Sequence, residues 1–416
     1  MTKTFSKSRA LFERASAVIP GGIYGHASPA VTVPGAFPYF AQSAEGCRYT
    51  DVDGNQYIDF MCGYGPIFLG YKHPEVDAAA AEAQATGDCF NHPTEYSVRL
   101  AEKLVETIDG ADWAVFGKNG SDMTSWAIRV AREHTGRKRV AKVTHAYHGI
   151  DPWCVPGYGG VILEDRSQID NFYWNDLESL EKLIARSASS LAAIIITPFH
   201  HPAFDDSVLP TEAFVKAINQ ACEAHGIILI LDDVRGGFRL HPHGSHCRYG
   251  WQPDLMCYSK ALANGYPISS CAGAKALKIA ASKTFLTGSF WNAAAPMAAA
   301  LKTLEIAERD KVADQIEIQG KRLIDGMLKI GEQHGTPLQV SGPPAMPYVR
   351  VANDPSFRKQ QALCSEAIQN GLYLHPHHNW FLSAAHTADV IDESLGRFSQ
   401  CLGTFCQNHS KTAATT

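Results

Sequence analysis

The fold of this chain is decided by the stretch IILILDDVRGGFR, residues 227–239. Its first five residues, Ile227 to Leu231, are all aliphatic. A strand with one face in water alternates apolar and polar residues, so an unbroken aliphatic run predicts a strand buried on both faces of a parallel sheet. The run ends in Asp232, and a charge there is unfavourable unless a cationic group meets it. We therefore expect Asp232 to have a partner at the carboxyl edge of the sheet.

Strand-like segments alternate with helix-like segments from about Gly63 to Leu301. Besides residues 227–231, the strand-like segments are WAVFG, RVAKVTH, LAAIIITPF and LMCYSKA. The limits of one helix can be predicted from its caps. Thr211 can cap its start, and Gly226 can end it before the aliphatic strand begins. This alternation is typical of a mainly parallel sheet covered by helices, and it predicts an α/β fold.

The two ends of the chain have a different character. The segment CRYTDVDGNQYIDF has turn residues between two strand-like runs, and the chain from about Lys302 is rich in helical patterns. We predict that residues 1–62 and 305–416 form a smaller α+β domain built from both chain ends. Residues 63–304 would form the large domain.

The composition is that of an ordinary globular protein. The 416 residues are 45% hydrophobic and 19% charged, with a formal net charge of -5, so there is no basic field to bind nucleic acid. Eleven cysteines occur without a CxxC pair, which is typical of a reducing compartment. The sequence has neither a signal peptide nor a membrane-spanning apolar run. We therefore predict a cytoplasmic protein with a small-molecule partner, and no nucleic acid or membrane.

A lysine follows the next short apolar run. In DLMCYSKALANGYP, Lys260 stands 28 residues beyond Asp232, and open parallel sheets bind ligands beyond the carboxyl ends of their strands. Such a pair suits pyridoxal phosphate (PLP), which needs an amine for its Schiff base and an acid that keeps its pyridine nitrogen protonated. The alternative interpretation is a structural ion pair or two surface charges.

A phosphate site favours the cofactor. In FGKNGSDMTSWAIRVAREHTG, a strand end and a turn precede a helix whose free N–H groups and dipole can hold a phosphate. Tyr147, in THAYHGI, lies in a turn after a strand and can stack on the cofactor ring. Val234 is on the same side of the extended chain as Asp232 and would contact the other ring face. The residues at the start of the helix are Asn119, Gly120 and Ser121.

Taken together, these motifs resemble the class III, or omega, aminotransferases, which are fold type I PLP enzymes. The resemblance covers nearly the whole chain and is closest to the glutamate-1-semialdehyde aminomutase branch. The segments that carry it are IPGG at 19–22, DVDGNQYIDF at 51–60, LGYKHPEV at 69–76, NGSD, AYHG, DDVRGGFR and SKALANGYP.

The resemblance implies a mainly parallel seven-stranded sheet, PLP bound by the large domain, and a homodimer with active sites at the subunit interface. Lys260 resembles the lysine that forms the Schiff base and moves the proton, and Asp232 resembles the partner of the pyridinium. Tyr147 resembles the stacking ring. The other cofactor-binding residues that the resemblance implies are Asn119, Gly120, Ser121, His148, Val234 and, from the neighbouring subunit, Ser289.

The departures from the family concern the substrate. The aminomutase branch has an arginine for the substrate carboxylate where this chain has Ser28, and the carboxylate-binding arginine of many relatives is missing from LYLHPHHNWFLSAAH. Glutamate semialdehyde is therefore disfavoured. Either the acceptor is a neutral or polyhydroxylated carbonyl compound, such as an oxidised amino-sugar or cyclitol, or a carboxylate is held from a new position. Arg235 is the candidate for that position, and an interface ion pair is its alternative role.

Histidines and tyrosines supply further candidates. The loop HPHGSHC, residues 241–247, resembles a metal site, but HxH alternation in a loop is weak evidence and a second ligand set is missing, so we predict no metal. The other candidates for the substrate pocket are Tyr24, Tyr64, His200, His201, His377 and His378.

The sequence thus predicts a PLP-dependent aminotransferase that moves an amino group from an amino acid donor to a carbonyl acceptor other than glutamate semialdehyde. One alternative is an intramolecular aminomutase, and another is a racemase or epimerase that uses the same lysine. A third alternative, from another class, is a PLP-binding protein without catalysis.

Overall fold

Strands and helices alternate along the middle of the chain in the structure, a computed structural model that describes residues 3–23, 25 and 40–413. The strands are β1 Ala41–Glu45, β2 Arg48–Asp51, β3 Gln56–Asp59, β4 Trp113–Gly117, β5 Arg139–Val143, β6 Ile169–Phe172, β7 Leu191–Ile196, β8 Ile228–Asp232, β9 Leu255–Tyr258, β10 Ser269–Gly273, β11 Leu338–Ser341, β12 Tyr348–Val351 and β13 Leu372–Tyr373. The helices are α1 Ser6–Val18, α2 Pro74–Ala85, α3 Glu95–Thr107, α4 Gly120–Thr135, α5 Leu163–Arg166, α6 Leu177–Ser187, α7 Glu212–His225, α8 Ser245–Tyr249, α9 Lys278–Lys283, α10 Ala294–Arg309, α11 Val312–Gln333, α12 Arg358–Gln369 and α13 Ala388–Ala413.

The aliphatic run forms β8 in the interior of a seven-stranded sheet with the order β4-β10-β9-β8-β7-β5-β6. In this sheet β10 runs antiparallel to both of its neighbours, and the pairings from β9 to β6 are parallel. Every residue of β7, β8 and β9 is buried, because strands in the middle of a parallel sheet are covered on both faces. The predicted mainly parallel α/β fold is confirmed.

Helices cover this sheet through their apolar faces. Helix α4 buries Met123, Trp126 and Val130 in a core shared with Ile195 and Ile230 of the sheet. Helix α7 begins and ends as predicted, since the Thr211 hydroxyl accepts a hydrogen bond from the Phe214 N–H (3.3 Å) and Gly226 ends it with φ +58°. No helix in the described ranges is long and apolar enough to cross a membrane.

The two chain ends meet in a four-stranded sheet of order β1-β2-β3-β13. Strand β13, near the C-terminus, pairs in parallel with β3, with Leu372 opposite Ile58. The predicted turn between β2 and β3 is held by the Asp51 carboxylate, which accepts hydrogen bonds from the N–H groups of Asp53 (2.9 Å) and Asn55 (2.8 Å). Strands β11 and β12 form a separate hairpin.

The described chain divides into two compact units. One takes Met1–His73, Ala203–Ser207 and Asp314–Thr416, as far as these are described, and the other takes Pro74–Pro202 and Val208–Ala313. The first unit is therefore built from both ends of the chain, and the seven-stranded sheet lies in the second. The domain limits expected from the sequence, at 1–62, 63–304 and 305–416, remain a prediction.

A close approach between α11 and the loop from β11 to β12, in the first unit, gives a test of this packing. A Cβ added at Gly320 of α11 would overlap the carbonyl oxygen of Pro344, whereas a Cβ at Gly396 of α13 would meet no atom within 4 Å. We expect Gly320→Ala to lower the free energy of unfolding by about 1–3 kcal/mol. The matched change Gly396→Ala should be neutral or stabilising by roughly 0.5–1 kcal/mol, because alanine favours the helix. Thermal unfolding midpoints measure both, and equal midpoints would contradict the close approach of α11 to Pro344.

Candidate active site

Asp232 and Lys260 lie at the same edge of the seven-stranded sheet. Asp232 is the last residue of β8, and it pairs with Cys257 of the parallel strand β9. Lys260 follows β9 by two residues and opens a 3-10 turn, Lys260–Ala263. Because the carboxyl ends of parallel strands share an edge, the two side chains belong to one region of the second unit.

Asp232 is buried, and its carboxylate meets a histidine. Its Oδ2 lies 2.8 Å from Nδ1 of His148, and its Oδ1 accepts a hydrogen bond from the Val234 N–H at 3.3 Å. A carboxylate only accepts hydrogen bonds, so His148 carries its proton on Nδ1. The other nitrogen, Nε2, is buried without a hydrogen-bond partner among the described residues. The histidine therefore satisfies one oxygen of Asp232 and stabilises its negative charge.

The turn that carries His148 is attached to the first two turns of α4. The Thr124 hydroxyl donates to the His148 carbonyl oxygen (2.8 Å), and the Ile150 N–H donates to the Ser121 hydroxyl (3.2 Å). Gly149 has φ +132°, and a Cβ there would overlap the Ser121 hydroxyl. Only glycine fits this close approach, so the AYHG turn and the start of α4 form one rigid assembly.

A tryptophan holds the other side of the His148 ring. Trp153 stacks on it with ring centroids 6.1 Å apart and an interplanar angle of 14°. The indole N–H of Trp153 donates to the Ser125 hydroxyl at 2.9 Å, and that hydroxyl in turn donates to the Asp151 carboxylate. Stacking and the hydrogen-bonded chain together restrict the rotation of the imidazole.

The start of α4 has the form of an anion site. Asn119 is the N-cap residue, and the Asp122 carboxylate accepts hydrogen bonds from the N–H groups of Lys118 (2.9 Å) and Asn119 (2.8 Å). A Cβ on Gly120 would come within 2.8 Å of the Val234 methyl groups, so the helix start packs closely against the segment after β8. The first N–H groups of a helix have no partner in the helix itself, and they attract phosphate.

Lys260 has the electrostatics of a reactive amine. It is half-buried, and its backbone lies in the left-handed region with φ +46°. Burial and then the charge of Arg235 lower the pKa of its amine to about 7, against the opposing attraction of Asp232. A large fraction of the amine is therefore neutral near pH 7.

Arg235, His201 and Tyr147 belong to the same electrostatic environment. Arg235 and His201 are buried and Tyr147 is half-buried. Burial lowers the pKa of Arg235 to about 10 and, together with the charge of Arg235, holds the pKa of His201 well below its usual value. Burial and then Cys154 raise the pKa of Tyr147. The charges of Arg235 and Asp232 therefore both act on the Lys260 amine, in opposite directions.

The remaining predicted residues have contacts of their own. Ser289 is exposed in the segment before α10. His200 stacks on Trp174 with centroids 5.7 Å apart. Tyr64 lies in the first unit, where its ring contacts His378 edge-on at 5.6 Å. His377, also in the first unit, lies with one ring nitrogen 3.0 Å from the Gln361 amide nitrogen. Tyr24 and Ser28 lie outside the described residues.

The histidines of the loop at 241–247 are occupied by hydrogen bonds within the loop and to the carbonyl oxygens of Thr107 and Asp109. His241 Nδ1 accepts from the His243 N–H at 3.2 Å, and ring nitrogens of His243 and His246 lie 2.8 and 3.0 Å from backbone carbonyl oxygens. Within residues 3–23, 25 and 40–413, no group of three or more His, Cys, Asp or Glu side chains has the arrangement of a metal site.

Sequence reasoning missed the residues that support the site. Thr124 could have been suspected, because it lies one helical turn beyond Ser121 and therefore on the same face of α4. The stack of Trp153 on His148 left no signal in the sequence. Asp233 was also missed: it is fully buried, accepts a hydrogen bond from the Ser245 N–H (2.8 Å), and has its pKa raised to about 7, chiefly by burial. The side chains of successive residues in an extended chain point to opposite sides. Asp233 therefore contacts Ser245, whereas Asp232 contacts His148.

Comparison with known proteins agrees with this geometry. The family model described as "Aminotransferase class-III" matches residues 30–156 and 163–402. The aminopentol aminotransferase of Sphingopyxis macrogoltabida is 42% identical over 94% of this chain and 92% of its own length. The glutamate-1-semialdehyde 2,1-aminomutase of Syntrophobacter fumaroxidans is 31% identical over 94% of this chain and 96% of its own length.

A solved structure gives the same result. The FumI protein of Sphingopyxis sp. MTA144, determined in its PLP internal aldimine form, superposes with a TM-score of 0.95. It is 41% identical in sequence, and the match covers 97% of this chain and 98% of that protein. The predicted cofactor, fold type and resemblance to the aminomutase branch are therefore confirmed. The chain belongs to the class III aminotransferases, PLP-dependent enzymes that act on small-molecule amino donors and acceptors.

Proposed function

We propose that this enzyme is a cytoplasmic homodimer that transfers the amino group of a common amino acid, such as glutamate or alanine, to a neutral, polyhydroxylated ketone or aldehyde. The loss of both usual carboxylate arginines, at Ser28 and in LYLHPHHNWFLSAAH, carries this proposal. The name of the relative from Sphingopyxis, an aminopentol aminotransferase, supports a hydroxylated substrate. An acceptor without a carboxylate needs hydrogen-bonding side chains in place of those arginines.

We propose that Lys260 and Asp232 carry the chemistry. Bound PLP supplies an electron sink for the carbon that exchanges its proton and amino group. Lys260 Nζ would hold the cofactor and, once a donor displaces it, take the proton from the donor α-carbon. An amine with a pKa of about 7 is a suitable base near neutral pH. About half of it is unprotonated there, and its affinity for a proton is still high enough to take one from carbon. The Asp232 carboxylate, held by His148, would keep the pyridine nitrogen protonated.

We assign the other cofactor contacts to the start of α4 and the segments beside it. The N–H groups of Gly120 and Ser121 would bind the phosphate, with Asn119 at the N-cap. Ser121 also has a hydroxyl hydrogen to donate, because its oxygen accepts the Ile150 N–H. The Tyr147 ring is proposed to contact one face of the cofactor ring, and the Val234 side chain is proposed to contact the other face.

The proposed dimer is supported by the surface around Ser289. Phe285 and Phe290 on either side of it are 74% and 67% exposed, and Ile279 of α9 is 71% exposed. Large apolar side chains concentrated in a short segment are typical of protein interfaces. In a homodimer this segment would place Ser289 beside the phosphate of the partner subunit.

An aminomutase is the second candidate, because the relative from Syntrophobacter carries that name and the same lysine would move the proton. It differs in needing no separate donor. A racemase or epimerase would also use Lys260, but it would not convert the cofactor to its amine form.

The spectrum of the purified protein tests the proposed reaction. We expect a visible cofactor band that glutamate or alanine bleaches, with release of one 2-oxo acid per site. Lys260→Ala should slow this bleaching by at least about 10²- to 10⁴-fold, the usual contribution of a general base. Lys216→Ala, which changes an exposed lysine of α7 in the same unit, should leave it unchanged. A band that no amino donor bleaches would overturn the aminotransferase proposal in favour of an aminomutase or epimerase.

Removal of one hydroxyl tests the support of His148. Thr124→Val keeps the shape of the side chain but deletes its hydrogen bond to the His148 carbonyl oxygen. We expect about fivefold to tenfold weaker PLP binding and a shift in the pH at which the visible band titrates, because a net hydrogen bond contributes roughly 1 kcal/mol. The control is Thr303→Val, since Thr303 is equally buried but donates only to Ala299 within its own helix. If both variants titrate like the wild type, Thr124 does not position His148.

A further inference from the structure

His201 follows strand β7 in a segment whose backbone direction is fixed. The His200 N–H donates to the Val208 carbonyl oxygen (2.9 Å), and the Val208 N–H donates back to the His200 carbonyl oxygen (2.7 Å). The His200 ring stacks on Trp174. The side chains of successive residues in an extended chain point to opposite sides, so His201 is directed away from Trp174.

His201 and Lys260 lie at the same edge of the seven-stranded sheet. His201 is five residues beyond β7 and Lys260 is two residues beyond β9, and both strands pair in parallel with β8, which lies between them. The ends of β7 and β9 are therefore about 10 Å apart, a distance that a small substrate can span. The charge of Lys260 also acts on the His201 ring and lowers its pKa, after the larger effects of burial and of Arg235. His201 thus belongs to the surroundings of the reactive amine.

The imidazole of His201 has an unsatisfied nitrogen. Only 7% of the residue is exposed, and its Nε2 is buried with no hydrogen-bond partner in the part of the chain that the structure describes. A buried polar atom without a partner is unfavourable, and native proteins satisfy such atoms with a ligand or with water. At a sheet edge that binds substrate, the substrate itself can supply this partner.

The protonation state of the ring selects the kind of ligand. Because burial holds the pKa of His201 well below its usual value, the imidazole is neutral at neutral pH, and Nε2 donates or accepts according to the tautomer. A carboxylate only accepts hydrogen bonds, and its charge would stabilise the protonated ring. A hydroxyl carries no charge and both donates and accepts, so it complements Nε2 in either tautomer.

We propose that His201 is a specificity-determining residue, whose Nε2 forms a hydrogen bond with a hydroxyl group of the carbonyl acceptor and of the amino alcohol formed from it. This inference rests on the proposed function and deepens it, because it assigns recognition of the hydroxylated substrate to one side chain. The enzyme then distinguishes a hydroxyl from a methyl group of similar size, because an analogue without the hydroxyl leaves the buried nitrogen unpaired.

Three matched pairs of amines test this role in the reverse half-reaction, in which each amine bleaches the cofactor band. The pairs are 2-amino-1-propanol with 2-aminobutane, 3-amino-1-butanol with 2-aminopentane, and 4-amino-1-pentanol with 2-aminohexane. In each pair a hydroxyl stands in place of a terminal methyl group, at an increasing distance from the carbon that carries the amine. The rate constant for bleaching, divided by the concentration for half-saturation, measures each amine. We expect the wild type to prefer the hydroxyl member of at least one pair by about tenfold.

Variants of His201 connect this preference to the imidazole. His201→Phe keeps a ring of similar shape but removes both nitrogens, and it should lose about tenfold with the preferred amino alcohol and less than about threefold with its methyl partner. His201→Gln should keep most of the preference, because its amide donates and accepts hydrogen bonds. The control is His225→Phe, which changes an exposed histidine of α7 in the same unit and should behave as wild type with all the amines.

The outcomes separate this inference from the function on which it rests. Equal losses with both members of a pair in His201→Phe, or a wild type without a hydroxyl preference in any pair, would overturn the role of His201. The aminotransferase proposal survives that result if glutamate or alanine still bleaches the band. If His201→Phe does not fold or bind PLP, His201→Leu replaces it, and the wild-type preference decides the matter if both variants fail. A wild-type band that no donor bleaches would overturn the aminotransferase proposal, and the role of His201 with it.

Discussion

The arrangement of this protein depends on one buried charge, the carboxylate of Asp232 at the end of a strand whose other residues are all aliphatic. That charge is stable at the sheet edge because His148 meets one oxygen at 2.8 Å and the Val234 N–H meets the other. His148 can serve only if its turn is held, and Thr124, Ser121 and the stacked Trp153 hold it. The start of α4 therefore has two tasks, since it presents N–H groups for a phosphate and supports the histidine that stabilises the charge.

The charges around Asp232 are distributed in a way that suits a PLP enzyme. Burial and then the positive charge of Arg235 lower the pKa of Lys260 to about 7, and the charge of Asp232 opposes this shift. His201 stays neutral in the same field. The second carboxyl group, Asp233, accepts a hydrogen bond from the Ser245 N–H, and burial raises its pKa to about 7.

Much of the fold followed from local patterns. The aliphatic runs of β7 and β8 predicted buried parallel strands, and Thr211 and Gly226 predicted the limits of α7 within one residue, because caps act over three or four residues. Asp232, Lys260 and the NGSD turn could also be identified, since strand ends and helix starts are local features. The support of His148 could not, because Thr124 and His148 are 24 residues apart and meet only when α4 packs beside the AYHG turn.

The sequence by itself determined which segments form buried strands, through their aliphatic runs. It also determined the positions of Lys260 and Asp232 and, through its motifs, the class III aminotransferase family. It also showed that the usual carboxylate arginines are absent. Only the tertiary structure decided which charges meet. Burial and distance set the pKa of Lys260 and let the charge of Arg235 act on both Lys260 and His201, and the fold directed Asp233 to Ser245. Electrostatic free energies depend on the three-dimensional separation of groups and on their solvation rather than on their spacing in the chain.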